Sequence, residues 1–241
     1  MMVQPSLRDF SLFQGLNENA QADLAKSLRQ VSYRAGDLIF QEGGPSVGIY
    51  LILSGFVQFG KLSTSRHRRR ILKLIGPGEV FGEEGLFNSE FCSCPGYARA
   101  LTETSLVFVE RSAFLGFADR HPQVMRNLSH WLIRQMKVFE CKLVELAYEP
   151  FEQNLWRLLI ILMERFGIQE AEGIRIAIPL GRQELADLLG AHQDTIIHEL
   201  SRLRDQELLS ITVDHQILIK EPDKLRKLAE PHTTCIHEKL F

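Results

Sequence analysis

The sequence lacks the features that would place it outside the cell or in a membrane. Four cysteines in 241 residues (Cys92, Cys94, Cys141 and Cys235) are too few and too scattered for a disulfide framework. The longest apolar run, 158–163, is far shorter than the roughly 18 residues of a membrane span. The amino terminus shows neither a basic nor an apolar signal-peptide region. We therefore expect a cytoplasmic protein with no membrane partner.

Catalytic signatures and an excess of positive charge are also missing. The sequence has no phosphate-binding Walker loop and no His-Glu-x-x-His pair, and we expect no enzymatic activity. The formal net charge is −2, and within 151–241 Asp and Glu outnumber Lys and Arg. Any binding to nucleic acid must therefore come from a local basic face rather than from overall charge.

Residues 181–209 have the pattern of two short helices joined by a tight turn. In the first, leucines recur at helical spacing, and Gly190 can adopt the positive φ that ends a helix. The second, from about His192, places Ile196, Leu200 and Leu203 on one side and polar residues on the other. One apolar face and one free face are the design of a helix-turn-helix, whose second helix enters the major groove.

The sequence around this helix pair predicts a complete winged domain. Two β-rich runs at 208–213 and 216–219 are separated by a polar turn, which favours a hairpin wing. An amphipathic helix at 151–166 and a strand at 173–179 precede the helix pair. We therefore assign residues 150–241 to a winged helix-turn-helix DNA-binding domain.

Residues 31–110 contain short β runs separated by glycine-containing turns. The runs fall at 37–40, 48–53, 56–59, 70–75 and 106–109. Such regular spacing predicts a small barrel or roll. A short helix at about 17–29, with Leu24 and Leu28 on one side, is expected to pack on the roll as a cap. We assign residues 1–120 to this domain.

Residues 121–147 carry a heptad pattern. His121-Pro122 places proline at a helix start, and Glu149-Pro150 ends the helix. The apolar seam alternates in steps of four and three residues: Met125, Ser129, Leu132, Met136, Phe139, Leu143 and Leu146. This predicts a helix that pairs with a second copy of itself, the alternative being a helix buried in its own domain. We assign 121–149 to a dimerisation helix and hinge.

A roll, a long helix, a hinge and a winged helix in this order resemble the cAMP receptor protein/fumarate-nitrate reductase regulator (CRP/FNR) family. The matching segments are GDLIFQEG (36–43), YLILSG (50–55), GEVFGEEGLF (78–87) and the helix pair. The resemblance implies an α+β protein with a cyclic-nucleotide-binding-type, jelly-roll-like β-roll, a long dimerisation helix and a winged helix-turn-helix. It also implies an allosteric homodimeric transcription regulator that binds palindromic double-stranded DNA and contacts RNA polymerase.

The effector pocket implied by this resemblance is incomplete. In members that bind cyclic nucleotides, Phe-Gly-Glu is followed about ten residues later by an Arg-Ser/Thr-Ala segment that holds the cyclic phosphate. Gly82 and Glu83 match the first half, but the second half falls on Cys94-Pro95-Gly96. Without the arginine the phosphate loses a charge-assisted partner, and proline removes a backbone donor.

Other positions of the implied pocket also differ. The nearest arginine is Arg99, which matches a structural position further along the strand. The hydroxyl positions that read adenine on the long helix fall on Phe139 and Glu140, and a glutamate beside a cyclic phosphate is repulsive. The sequence therefore disfavours cyclic AMP. Nothing in the sequence requires a cofactor. The regulator could respond to an unknown effector or be constitutively active.

A rival hypothesis is a ligand- or redox-sensing module with altered or lost DNA specificity. Cys92 and Cys94 could act as thiolates, but one intervening residue is poor spacing for a zinc knuckle, and small loop residues are the plainer interpretation. We predict no metal site. The basic segment 65–70 predicts a solvated hairpin, with an anion or DNA-flank contact as the alternative.

The predicted recognition helix departs from the family at the positions that read bases. The family's arginine, glutamate and second arginine correspond to Gln193, Asp194 and His198. Gln193 can bond adenine and Asp194 can accept from cytosine, while Ile197 can meet a thymine methyl. His198 weakens guanine readout and can titrate near neutral pH. We expect an altered or A/T-leaning site. Candidate phosphate contacts are Arg182, Ser201, Arg202, Arg204 and Lys220.

Overall fold

The computed structural model describes residues 7–45, 47–63, 68–87, 94–212 and 216–229. The chain divides into two compact units, and the division falls after Met136. The first unit holds the β-rich half of the chain, and the second holds the helix-turn-helix. One long helix contributes residues to both units.

The described part of the first unit contains eight strands. They are β1 (Leu28–Tyr33), β2 (Leu38–Phe40), β3 (Gly48–Ser54), β4 (Val57–Ser63), β5 (Arg68–Ile75), β6 (Val80–Phe81), β7 (Tyr97–Ala100) and β8 (Thr104–Glu110). They form two antiparallel sheets, ordered β1-β8-β3-β6 and β2-β7-β4-β5. The tight turn after β3 requires Gly55, because φ is 84° and a Cβ there would lie 2.4 Å from the carbonyl oxygen of Glu103. The sequence predicted five of these strands and missed β1, β6 and β7.

The amino-terminal helix α1 (Glu18–Ala25) is shorter than predicted. Asn17 caps it, because its side chain accepts a hydrogen bond from a backbone N–H of the first turn at 2.9 Å. Leu24 is buried as expected, but the prediction that Leu28 belongs to the helix was wrong. Residues 28–33 instead form β1 and pair with β8 along their whole length. That ladder satisfies more backbone groups than one further helical turn.

Two apolar clusters stabilise the first unit. One joins β-strands to α2 (Glu84–Phe87), α3 (Arg111–Arg120) and the first turns of α4 (Pro122–Tyr148). The other involves both sheets and is rich in aromatic rings, including Tyr50 and Phe81, whose ring centroids stack 5.0 Å apart. Burial, with smaller contributions from Tyr33 and Cys94, raises the pKa of Tyr50 to about 12.

The second unit carries the winged domain. After α4 come α5 (Phe151–Phe166), β9 (Gly167–Glu170), β10 (Gly173–Ile176), α6 (Arg182–Leu189), α7 (Gln193–Asp205), β11 (Leu209–Ile211), β12 (Ile217–Ile219) and α8 (Pro222–Leu228). The four strands form one antiparallel sheet in the order β11-β12-β10-β9. The wing is therefore one edge of a larger sheet. The sequence analysis did not predict β9 or α8. The predicted α+β class, with its roll, long helix and winged helix-turn-helix, is confirmed.

Candidate nucleic-acid interface and effector site

The predicted helix-turn-helix is formed by α6 and α7. Gly190 ends α6 in the left-handed conformation, with φ of 69° and ψ of 30°, which reverses the chain before α7 begins at Gln193. The side of α7 that packs inward is apolar and buried, with Ile196, Leu200 and Leu203 at most 3% exposed. This burial fixes the helix and leaves its opposite side available.

The four candidate base-reading residues lie together on the first two turns of α7. Gln193, Asp194 and His198 are exposed, and Ile197 is half-buried. Asp194 also has a purely structural explanation, because a carboxylate in the first turn of a helix is stabilised by the helix dipole. The arrangement suits entry of the amino-terminal end of α7 into a major groove.

Candidate phosphate contacts occur at several points around this helix. Arg182 is exposed at the start of α6, Lys220 is exposed just after β12, and Ser201 is half-buried on α7. Arg204 lies 3.6 Å from Asp205, but both side chains are exposed, and such a pair contributes little. Arg202 and Arg204 are about 200° apart around α7 and so flank its free face from two sides.

One buried carboxylate on α7 was missed by the sequence analysis. Glu199 is 4% exposed, and its Oε1 accepts hydrogen bonds from Trp156 Nε1 and Arg202 Nη2, both at 2.9 Å. The sequence did carry a signal for this residue, because Glu199 interrupts the apolar face of α7 at a position where an apolar residue is expected. Its partner Trp156 lies 43 residues earlier on α5.

A second buried charge cluster, within the second unit, joins the end of α4 to α5. Arg157 on α5 is 5% exposed and lies 3.7 Å from Glu145 and 3.6 Å from Glu149. Its Nε donates to the carbonyl oxygen of Ala229 at 3.4 Å, just after α8. Asn154 donates to the backbone carbonyls of the same two glutamates. The segment around Pro150 is thus fixed by ionic and hydrogen-bonding contacts.

Two adjacent apolar stripes run along α4. Val124 and Leu128 are buried in the core of the first unit. The predicted seam lies one residue further along, about 100° around the helix. Much of it is exposed: Leu132 39%, Met136 56%, Phe139 36%, Leu143 68% and Leu146 42%. Ser129 is also exposed and Met125 is half-buried. The described residues of the chain therefore leave most of this stripe uncovered.

The first half of the expected effector pocket already contains an ion pair. Gly82 adopts φ of 82°, and the carboxylate of Glu83, a buried residue, lies 3.4 Å from Lys73 Nζ. Lys73 also lies 5.5 Å from the ring centroid of Trp131 on α4. Burial, with a smaller contribution from the charge of Glu83, raises the pKa of the neighbouring Glu84.

At the second half of the implied pocket, the backbone of Cys94 is hydrogen-bonded within the chain. The backbone N–H of Cys94 donates to the carbonyl oxygen of Gly44 at 2.8 Å, and the carbonyl of Cys94 accepts from Gly43 at 2.9 Å. The thiol is buried and lies 3.6 Å from the carbonyl oxygen of Pro45. Reactive thiolates are generally partly exposed in positive surroundings, so this geometry does not favour a redox role for Cys94.

The other candidate pocket residues are spread over different faces and units. On β7, Ala98 packs into the core shared by the two sheets, whereas the adjacent Arg99 points to the other face, opposite Gln58 of β4. Phe139 and Glu140 lie on the part of α4 that belongs to the second unit. Cys92, and residues 65–67 of the basic segment 65–70, lie outside the described residues.

Residues 44–48 read Gly-Pro-Ser-Val-Gly, which has the Gly-x-Ser-x-Gly spacing of hydrolase nucleophiles. That motif acts at a turn from a strand into a helix, but here β3 begins at Gly48, so the context does not fit. Within the described ranges, no cluster of three or more His, Cys, Asp or Glu residues could hold a metal ion. No helix among the described residues is long and apolar enough to cross a membrane.

Comparison with known proteins identifies both units. The model of the cyclic nucleotide-binding domain matches residues 30–121, and that of the Crp-like helix-turn-helix domain matches residues 153–228. A roll of this type followed by this helix-turn-helix defines a class of DNA-binding transcription regulators.

Similar whole proteins have the same organisation. A CRP-like cAMP-activated global transcriptional regulator of Mycobacterium tuberculosis is 28% identical over 222 residues, covering 90% of this chain and 96% of that protein. The cyclic AMP receptor protein of Thermus thermophilus is 29% identical over 201 residues, covering 83% and 88%. The structure of FixK2 from Bradyrhizobium japonicum matches with a TM-score of 0.73 at 26% identity, covering 86% of this chain and 99% of that one. The chain belongs to the CRP/FNR family of transcription regulators.

Proposed function

We propose that this regulator acts as a homodimer paired through α4, with two recognition helices in successive major grooves of a palindromic DNA site. The observation that carries the proposal is the uncovered apolar seam of α4, where Leu143 is 68% and Met136 is 56% exposed. Solvated leucines at heptad spacing are stabilised when a second helix covers them. The stripe of α4 that serves its own unit is a different one, at Val124 and Leu128.

The contacts around Pro150 couple the end of α4 to the domain that is proposed to bind DNA. Because Arg157 is buried against Glu145 and Glu149, the winged domain is expected to move with the end of α4 rather than independently of it. A change in how two α4 helices cross would therefore change the separation of the recognition helices. Only one separation of the recognition helices fits half-sites about one helical turn apart, roughly 34–36 Å. A signal at the roll that changes how the α4 helices cross would therefore change the affinity for DNA.

We propose that cyclic AMP is not the signal at the roll. Either the roll responds to another signal, or the regulator is active without one. A ribose would have to displace Lys73 from Glu83, and a phosphate would find the backbone N–H of Cys94 already bonded to Gly44. No arginine stands at the position that holds the phosphate in the family's cyclic-nucleotide-binding members. The relatives from Mycobacterium and Thermus are named for cyclic AMP, so that nucleotide is the alternative to exclude.

Isothermal titration of the purified chain with cyclic AMP tests the effector proposal. We expect no heat of binding and no change in DNA affinity with the nucleotide present. Micromolar binding that is lost in Glu83→Gln would overturn the proposal. Mass spectrometry of the natively purified protein would show any other small molecule that remains bound.

Selection from duplexes with a randomised core tests the proposed DNA specificity. We expect enrichment of inverted repeats that differ from the TGTGA half-site, because Gln193, Asp194 and His198 replace the usual reading set. Recovery of TGTGA half-sites would refute altered readout while leaving the regulator itself intact. Contact with RNA polymerase is proposed only on the basis of family membership.

A further inference from the structure

The recognition helix carries a carboxylate on the side that packs inward. Glu199 lies on α7 between the buried Ile196 and Leu203, and is itself only 4% exposed. A charge in such a place is costly unless it is paired and hydrogen-bonded. Here a single oxygen, Oε1, accepts from both Trp156 Nε1 and Arg202 Nη2 at 2.9 Å. The carboxylate therefore has defined partners on two helices.

Arg202 is held by two contacts at once. Its Nη2 donates to Glu199, and its guanidinium carbon lies 5.5 Å from the ring centroid of Trp156. A guanidinium has five N–H donors, and the other four donate to no residue that the structure describes. The arginine side chain is still 44% exposed. It is thus a fixed cation with donors left for an external acceptor.

The position of Arg202 on α7 indicates which acceptor. It lies four residues, or about one helical turn, beyond His198 and so continues one edge of the free face of α7. A helix that enters a major groove with its amino-terminal residues brings this edge toward the phosphate backbone. Arginine is well suited to bind phosphate through two parallel hydrogen bonds.

We infer that Glu199 and Trp156 are positioning residues that hold Arg202 in place as a phosphate contact of the DNA complex. The inference rests on the proposed DNA-binding function and deepens it. Because the guanidinium is ordered before DNA arrives, binding does not have to restrict a flexible side chain at that moment. If the Arg202–Glu199 ion pair within α7 and its hydrogen bond from Trp156 on α5 were merely structural, they would stabilise the fold and have no effect on phosphate contacts.

The test measures DNA affinity against salt concentration for full-length variants, using fluorescence anisotropy and the duplex that the wild-type chain enriches. Arg202→Met keeps an unbranched apolar stem and removes the charged guanidinium. We expect the slope of log K against log salt to become shallower by about 1.8, because the proposed homodimer loses one phosphate contact, worth about 0.9, in each of its two chains. Arg226→Met is the matched control, since Arg226 on α8 is 45% exposed and also paired with a carboxylate, that of Asp223. Its slope should equal that of the wild type.

Variants of the positioning residues separate this role from simple stabilisation. Glu199→Gln keeps an acceptor oxygen for both donors, so its slope should stay near that of the wild type. Glu199→Leu removes the acceptor, and its affinity should fall roughly tenfold, equivalent to about 1.4 kcal/mol. Trp156→Phe keeps an aromatic ring but loses the indole N–H. Its affinity for DNA should lie between those of the two Glu199 variants.

The inference is overturned if Arg202→Met leaves the salt slope unchanged, or if folded Glu199→Leu binds DNA as tightly as the wild type. It is also overturned if Glu199→Leu binds more tightly, which would mean that the glutamate masks the arginine. Arg202→Met changes an exposed side chain, so this decisive variant does not depend on the folding of Glu199→Leu. If the wild-type chain binds no duplex in a salt-dependent way, the proposed function itself fails, whatever the variants do.

Discussion

Leu143→Ala is the substitution that most directly probes the proposed pairing of α4. Fully burying a leucine side chain contributes about 1.5–3 kcal/mol, and Leu143 is 68% exposed. Covering it therefore gains about 1–2 kcal/mol in each chain. A two-fold symmetric interface uses the residue twice, so the loss is about 2–4 kcal/mol for the dimer. That corresponds to an increase of roughly 30- to 1,000-fold in the dimer dissociation constant.

Sedimentation equilibrium over a dilution series measures this change. Tyr148→Ala is the matched control, because Tyr148 is 83% exposed on the same helix but lies about 140° around it from Leu143. We expect dimer dissociation at much higher concentration for Leu143→Ala and little change for Tyr148→Ala. Equal effects of the two substitutions, or none, would refute the assignment of the seam.

Three further predictions concern the roll, the hinge and the reading helix. The raised pKa of Glu84 means that folding favours its protonated form, so this part of the stability is present in acid and lost as pH rises through the folded pKa. Glu84→Gln should therefore melt above the wild type near neutral pH, with the gap closing in acid; a gap independent of pH would contradict this. Arg157→Met removes a buried cation beside the carboxylate of Glu149, whose side chain is 6% exposed, and calorimetry should show a loss of about 3–5 kcal/mol in the free energy of unfolding. In the duplex selection, His198→Arg should enrich half-sites that contain guanine, with about 1–3 kcal/mol of discrimination for that base. Unchanged half-sites would mean that His198 does not contact the bases.

Local patterns in the sequence were sufficient for most of the architecture. The helix-turn-helix followed from leucine spacing and Gly190, and the start and end of α4 followed from Pro122 and Pro150. Such signals depend on nearby residues, which a sequence displays directly. The failure at Leu28 has the opposite cause, because β1 exists through pairing with β8, about 80 residues further along.

The ionic contacts of the candidate sites could not be predicted. Glu199 meets Trp156 across 43 residues, and Arg157 meets the carbonyl of Ala229 across 72. No periodicity pairs one charged residue with another at such separations, and only the packed fold selects them. The Lys73–Glu83 pair is closer in sequence, yet it depends on how β5 and the turn at Gly82 approach each other.

The mass of the protein–DNA complex, measured by light scattering or native mass spectrometry on an enriched duplex, tests the central claim most directly. A homodimer with paired winged heads predicts two chains of 27.6 kDa on one duplex. It also predicts that halving the inverted repeat sharply weakens binding. A complex of one chain per duplex, with affinity unaffected by removal of one half-site, would contradict the account.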